Sequence, residues 1–363
     1  MESIQSEKQA LPLPDLSQLT LVPTEDKTKV VAVEDAQPAT IPPHLSHDPE
    51  NNLKRSDPFQ FGSRYLSETE NVFEFNAWDH VETDDTYKEY AEEQYAKQRE
   101  APVSDFDKNR FNGDPAKWWN NFYKNNAANF FKDRKWLQQE FPVLIDITKP
   151  DAGPYTLLEV GAGAGNTAFP ILSRNQNPNL KIHACDFSKK AVEVIRANEA
   201  YDPQNIQADV WDAASDELPP DLGEGSVDYV LMIFIFSALS PSQWKQAVHN
   251  IFKVLKPGGE VLFRDYGRGD LAQVRFKKGR YLEENFYIRG DGTRVYFFEK
   301  EELIDIWIGE KAEDVAAENT PGPCFEVVDL GVDRRLLVNR AKQLKMYRCW
   351  LQGRFRKQEL KSS

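Results

Sequence analysis

Residues 157–165 read Leu157-Leu158-Glu159-Val160-Gly161-Ala162-Gly163-Ala164-Gly165, and the next apolar run, Lys181-Ile182-His183-Ala184-Cys185, ends on Asp186. An apolar strand running into glycines lets the backbone turn closely past a ligand, and the helix expected from about Asn166 presents its N-terminus to that turn. A carboxylate at the tip of the following strand suits ribose hydroxyls. Dinucleotide sites space their glycines as G-x-G-x-x-G because a pyrophosphate must reach the helix N-terminus. Here they alternate as G-x-G-x-G, with Glu159 two residues before the first. This is the nucleoside-binding edge of a doubly wound α/β sheet, or else a glycine-rich turn with no ligand.

Working outward, periodicity predicts strands over 155–160, 181–186, 205–209, 226–233 and 259–264, with helices over 165–174, 188–198 and 242–255 between them. Lys256-Pro257-Gly258-Gly259 closes the last helix and leads into Glu260-Val-Leu-Phe-Arg264. Asn285 to Phe298 reads as a hairpin around Gly290-Asp291-Gly292, and apolar runs at 325–332 and 344–351 can complete the sheet. Upstream, 84–100 has helical spacing of Tyr87, Tyr90, Ala91 and Tyr95. Asp114-Pro115 then offers an N-cap and a first-turn proline ahead of Trp118, Trp119, Phe122 and Tyr123. The expected organisation is a disordered leader over 1–58, a helical extension over 59–150, a catalytic domain over 151–355 and a basic tail over 356–363. The leader holds eight of the 22 prolines and no sustained apolar period.

The net charge of −13 argues against a nucleic-acid partner, but its distribution reverses along the chain. Residues 61–110 carry thirteen acids against six bases, whereas 334–363 carry ten bases and Glu359 as the one acid. Cys185, Cys324 and Cys349 lack metal or redox spacing and fit free thiols, so no metal site is expected. The longest apolar run, Tyr229 to Leu239, is too short for a bilayer span, and the N-terminus lacks the features of a targeting peptide. A cytoplasmic protein is expected, with nuclear presence left open.

Four constellations bear on chemistry. Gly161, Gly163, Asp186 and Asp209 fall at consecutive strand ends, Asp209 being placed to accept from an adenine amine. Leu231-Met-Ile-Phe-Ile-Phe-Ser237 lacks the Asn/Asp-Pro-Pro-aromatic run used to methylate exocyclic base amines, and no cysteine stands there for attack at pyrimidine carbon 5. Phe130-Phe-Lys132-Asp-Arg134-Lys-Trp136 interleaves aromatics with bases, suiting a splayed nucleotide and its phosphates. The stretch from Phe263-Arg264-Asp265-Tyr266 through Arg275 and Lys277 to Phe286, Arg289 and Arg294 lies where substrates of such sheets meet their cofactor.

On these residues the chain resembles S-adenosylmethionine-dependent methyltransferases, and within them the tRNA N3-methylcytidine methyltransferases that modify position 32 of the anticodon loop. The resemblance covers most of 59–355. It rests on Trp119-Asn-Asn-Phe-Tyr123, Phe130-Phe-Lys-Asp-Arg134, Ala184-Cys-Asp-Phe-Ser188, Lys256-Pro-Gly-Gly259, Phe263-Arg-Asp-Tyr-Gly267 and Glu284-Asn-Phe-Tyr-Ile-Arg289-Gly-Asp-Gly-Thr-Arg294. Gly62-Ser-Arg-Tyr65, Asn76-Ala-Trp-Asp-His80, Val332-Asp-Arg-Arg335 and Arg348-Cys-Trp350 resemble the threonine-tRNA branch. The resemblance implies a Rossmann-like, seven-stranded sheet with an N-terminal helical extension. It also implies S-adenosyl-L-methionine contacts at Trp119, Tyr123, Gly161, Asp186, Asp209 and Ile233, with the Trp119 helix as a lid. The family has one tryptophan where this chain has Trp118 and Trp119; the spacing to Tyr123 favours Trp119, leaving Trp118 to the core.

Cytosine N3 carries an in-plane lone pair at neutral pH, so alignment rather than deprotonation is the expected catalytic demand. The product is a cationic base, which makes Asp265 the candidate catalytic carboxylate, with Tyr266 or Phe286 stacking on the base; a turn-capping role for Asp265 is the alternative. Arg264, Arg275, Lys277, Lys278, Arg289, Arg294 and the basic C-terminus would meet phosphates of the anticodon stem-loop. A helper protein such as an aminoacyl-tRNA synthetase is a further expected partner. Methylation of a small molecule or protein side chain, or a non-catalytic binding role, remain the alternatives.

Overall fold

The computed structural model describes residues 64–67, 69–309 and 325–358. The expected leader, the expected start of order at Phe59, and Cys324 lie outside them.

A parallel core forms around two central strands that are continuously buried over 157–160 and 230–233. β2 (Tyr155–Val160), β3 (Leu180–Asp186), β4 (Ile206–Val210), β5 (Val227–Ile233) and β6 (Leu255–Tyr266) are parallel neighbours in the order β6-β5-β2-β3-β4. The chain grows outward from β2 on one side and then returns to its other side, so β2 and β5 flank the topological switch point. Two long antiparallel strands, β10 (Phe325–Asn339) and β11 (Leu344–Lys357), extend the sheet beyond β6. A three-residue strand, β1 (Ala77–Asp79), closes that edge. The sheet therefore has eight strands rather than the seven expected. The extra one is short, and Trp78 within it is fully buried against Leu336, Val338 and Tyr347.

Helices cover both faces: α6 (Ala168–Leu172) and α7 (Lys189–Arg196) follow β2 and β3, and α8 (Pro241–Val254) precedes β6. The helix expected over 165–174 is shorter, because Gly165 takes φ 81° and regular helix begins only at Ala168. Two apolar cores result, one containing Val160, Met232, Phe236, Trp244 and Phe263, the other Leu157, Ile182, Val192, Leu231 and Ile233.

The N-terminal extension supplies α1 (Asp85–Arg99), α2 (Asp105–Gly113), α3 (Pro115–Asn126), α4 (Leu137–Glu140) and α5 (Val143–Asp146). Asp114 caps α3 by accepting from the Lys117 amide at 3.1 Å, and Pro115 fills the first turn, where no amide is needed. After β6 come α9 (Leu271–Val274) and a separate sheet of β7 (Tyr281–Glu283), β8 (Phe286–Ile288) and β9 (Arg294–Tyr296), then α10 (Lys300–Ile308). The expected hairpin is the β8–β9 pair of that three-stranded sheet. No helix among the described residues is long and apolar enough to cross a membrane.

Candidate active site

A cavity of about 270 Å³ opens at the carboxyl ends of the parallel strands, at the switch point. Every strand of the parallel core contributes to its wall: Val160 to Gly163 after β2, Asp186 and Phe187 after β3, Trp211 to Ala213 after β4, Ile233 to Ile235 after β5, and Tyr266 after β6. Trp119 and Tyr123 of α3 cover it, and Phe131, Lys132, Arg134 and Trp136 close one side.

Local backbone chemistry builds the first wall. Gly161 and Gly163 sit at φ 66° and 59°, a region closed to most side chains. A Cβ on Gly163 would also meet the Tyr123 hydroxyl, so the glycine is required for α3 to approach. The Asp186 carboxylate accepts from the Gly163 amide at 2.9 Å and from the Ser188 amide at 2.8 Å. Its burial pushes its pKa up to about 6, against the lowering effect of those two amides. Ser188 in turn donates to Asn120 at 3.0 Å, which ties α3 to the start of α7.

Glu159 lies behind this wall, 1% exposed and 3.8 Å from Arg134. Desolvation raises its pKa to about 7 even with that cation nearby. Arg134 also donates to the Thr167 hydroxyl at 2.8 Å. The aromatic-basic segment is thereby anchored to the glycine-rich turn.

These residues fit S-adenosylmethionine. A fixed, buried carboxylate could accept from vicinal hydroxyls, Trp211, Ala213 and Ile233 supply apolar lining suited to a purine, and the close Gly163–Tyr123 approach leaves backbone rather than side chain along the wall. Asp209 does not reach this slot. It pairs with Arg196 of α7 at 2.8 Å and accepts from Gln207, and Asp212 lines the cavity in its place. The expectation placed the acid at the strand tip, but the wall continues three residues further through Trp211, whose indole donates to Glu217 O. No periodic signal marks Asp212.

Other expected site residues also need relocation. Arg264 is 4% exposed, ion-paired with Asp333 and hydrogen-bonded to Gln352, and it stacks over Trp136 and Trp350. Arg294 is 5% exposed and donates to Ala238 O at 3.2 Å and to Gln243 at 2.9 Å. Burial lowers its pKa to about 10. Neither guanidinium stands where a phosphate can meet it. Phe286 is buried in the core beside Tyr296 and cannot stack on a base. Asp265 is fully buried behind Tyr266, accepting from the Ser237 amide at 2.9 Å and the Tyr266 amide at 2.8 Å, and burial pushes its pKa to about 6. It is a cap beneath the wall rather than part of it.

Tyr266, Arg289, Lys132 and Arg134 do line the cavity, whereas Phe130 stands outside it, half exposed, against Phe122 and Phe131. Arg275 and Lys277 are exposed on the turn before β7. Trp118 faces away from the cavity and packs on Gly292 of the hairpin turn. Arg335, Arg348, Arg354 and Arg356 of the basic C-terminal segment are taken up by Asp79 and Asp333, Asp270, and Glu260.

Fold and cavity define an S-adenosylmethionine-dependent methyltransferase, and the profile of the methyltransferase domain matches residues 158–261. The chain is 52% identical over 307 residues to the Saccharomyces cerevisiae tRNA(Thr) (cytosine(32)-N(3))-methyltransferase, covering 84% of this chain and 47% of that one, about half its length. It is 50% identical to a Schizosaccharomyces pombe tRNA N(3)-methylcytidine methyltransferase, covering 82% and 92%, and 37% identical to a human tRNA N(3)-cytidine methyltransferase, covering 84% and 95%. The chain belongs to the tRNA N3-methylcytidine methyltransferase family.

Proposed function

We propose that this chain methylates N3 of cytidine 32 in the anticodon loop of tRNA, with threonine tRNA as its principal substrate. The observation that carries the reading is the 50% identity across 92% of a relative named for tRNA N3-methylcytidine formation, with the threonine-tRNA enzyme of budding yeast at 52%. When bound, S-adenosylmethionine supplies the electrophilic methyl group. Asp186 would hold the ribose hydroxyls, Trp119 and Tyr123 would exclude water from above, and Trp211, Ala213 and Ile233 would bound the adenine. Cytosine N3 needs no base to become nucleophilic. The chain's task is then to hold an extruded cytosine in line, a positioning effect worth several kcal/mol.

Lys132 at the mouth and the exposed Arg275, Lys277 and Lys278 would meet phosphates of the loop and stem. A helper protein such as an aminoacyl-tRNA synthetase is proposed to select the tRNA body.

The test is methyl transfer from labelled cofactor to threonine tRNA transcripts carrying cytidine or uridine at position 32, with nucleoside analysis and with or without the cognate synthetase. N3-methylcytidine from the cytidine transcript alone is expected. Label in another nucleoside, or equal label in both transcripts, would overturn the reading.

A further inference from the structure

Two arginine–aromatic pairs line the cavity. Phe234 follows β5 and Tyr266 ends β6, with ring centroids 5.0 Å apart and planes inclined by 46°. Arg134 lies 5.9 Å from the Phe234 centroid, and Arg289 lies 5.5 Å from that of Tyr266. Phe234 takes φ 60°, and its amide donates to Arg264 O at 2.8 Å. A bulky side chain in the left-handed region costs about 1–2 kcal/mol, and such strain is retained mainly where a side chain must be aimed. Here the kink delivers the ring to the cavity wall instead of continuing β5.

The two arginines differ in what already occupies them. Arg134 is engaged by Thr167 and Glu159. The Arg289 guanidinium forms no hydrogen bond or ion pair among the described residues, although its backbone is held on both sides. Its amide donates to Thr293 O at 2.8 Å, and its carbonyl accepts from Arg280 at 3.1 Å and from the Gly292 amide at 3.0 Å. A fixed backbone with free planar donors is the arrangement suited to reading an acceptor on a flat ligand.

Cytosine presents O2 and N3 as acceptors and the N4 amine as a donor. N3 must stay open for methyl transfer, so a donor from the protein can hold the ring only through O2. An aromatic wall can pack against one face of the ring, and every base offers it the same π surface, so it cannot select cytosine alone. Positive charge gathers on the ring during transfer, which a lone guanidinium would oppose. The Asp265 carboxylate beneath Tyr266, whose charged form Arg289 favours, would offset part of that charge.

We infer that Arg289 reads the target base, donating to cytosine O2 while the ring packs against Phe234 and Tyr266. The inference rests on the base-methylation reading above.

The experiment compares wild type, Arg289→Met and Arg289→Lys on an anticodon stem-loop RNA carrying cytidine or 2-thiocytidine at the target position, under single-turnover conditions. Cofactor affinity by calorimetry and RNA affinity by filter binding are measured for each. Replacing O2 by sulfur weakens the acceptor and is expected to slow wild type about tenfold. Arg289→Met should be about 30-fold slower on cytidine, hold both affinities within about threefold, and lose sensitivity to sulfur, with Arg289→Lys between. A Met variant within threefold of wild type, or one that keeps the full sulfur penalty, overturns the inference alone. Absence of N3-methylcytidine from the wild-type reaction overturns the proposed function and this inference together.

Discussion

Asp186 is held by two backbone amides before any ligand arrives, so its replacement removes a preorganised acceptor as well as a charge. Asp186→Ala should weaken S-adenosylhomocysteine binding about 100-fold, as expected for two lost charge-assisted bonds. Calorimetry within threefold of wild type would remove Asp186 from the cofactor site. Glu159 makes a different prediction. Its pKa of about 7 in the folded chain exceeds the ordinary 4.5, so between those values the folded state binds more protons than the unfolded state. Its contribution to stability is full at low pH and is lost as pH rises through about 7. Denaturant unfolding at pH 5, 6 and 7.5 should show the wild type losing on the order of 1–3 kcal/mol more across this range than Glu159→Gln. Parallel pH profiles for the two proteins would contradict the assignment. Both residues were legible as strand-end acids, since strand polarity decides which end faces the crevice. Asp209 shows where that logic stops, because a strand-end carboxylate can pair with a helix cation as readily as with a ligand.

At the scale of elements, α3 presents Trp118 and Trp119 to different neighbours. Trp118 rests on Gly292 of the β8–β9 turn, and Trp119 with Tyr123 covers the cavity, so one helix is fixed to both the hairpin that carries Arg289 and the cofactor wall. A Cβ on Gly292 would enter the Trp118 indole, and its φ of 86° disfavours any side chain. Gly290, two residues earlier, has open space around it. Gly292→Ala should therefore cost about 1–3 kcal/mol of stability and lower cofactor affinity severalfold, whereas Gly290→Ala should stay within about 0.5 kcal/mol. Thermal unfolding of both variants, with calorimetry on the first, checks this; equal losses would mean that the Trp118 contact does not matter. The capping and aromatic spacing of α3 are readable locally. Its partners are not, since Trp118 and Trp119 differ by one position around a helix and the sequence holds no local mark of what each side meets.

For the whole molecule, the −13 charge conceals how the basic groups are divided. Arg354 and Arg356 share Glu260, Arg348 meets Asp270, and Arg335 meets Asp333, so much of the C-terminal excess is internal structure. Among the described residues, Arg275, Lys277 and Lys278 form no ion pair and are exposed. Lys277→Glu with Lys278→Glu should weaken tRNA binding and reduce the slope of log affinity against log salt by about 2, while Arg356→Ala should alter stability and leave the slope unchanged. Filter binding across a salt series decides it, and an unchanged slope in the double variant would place the RNA elsewhere.

The glycine-strand run at 157–165, the alternating strands after it and the acid at 186 were determined by sequence alone, because each depends on local backbone geometry and on a strand period that short stretches impose. Tertiary structure alone decided that a three-residue strand at Trp78 completes the sheet, that Arg264 and Arg294 point inward, and that Asp265 lies beneath the wall while Arg289 faces the cavity. The reason is physical: a charged side chain reads the same in a sequence whether solvent or a buried partner balances it, and only the packing of distant strands settles which.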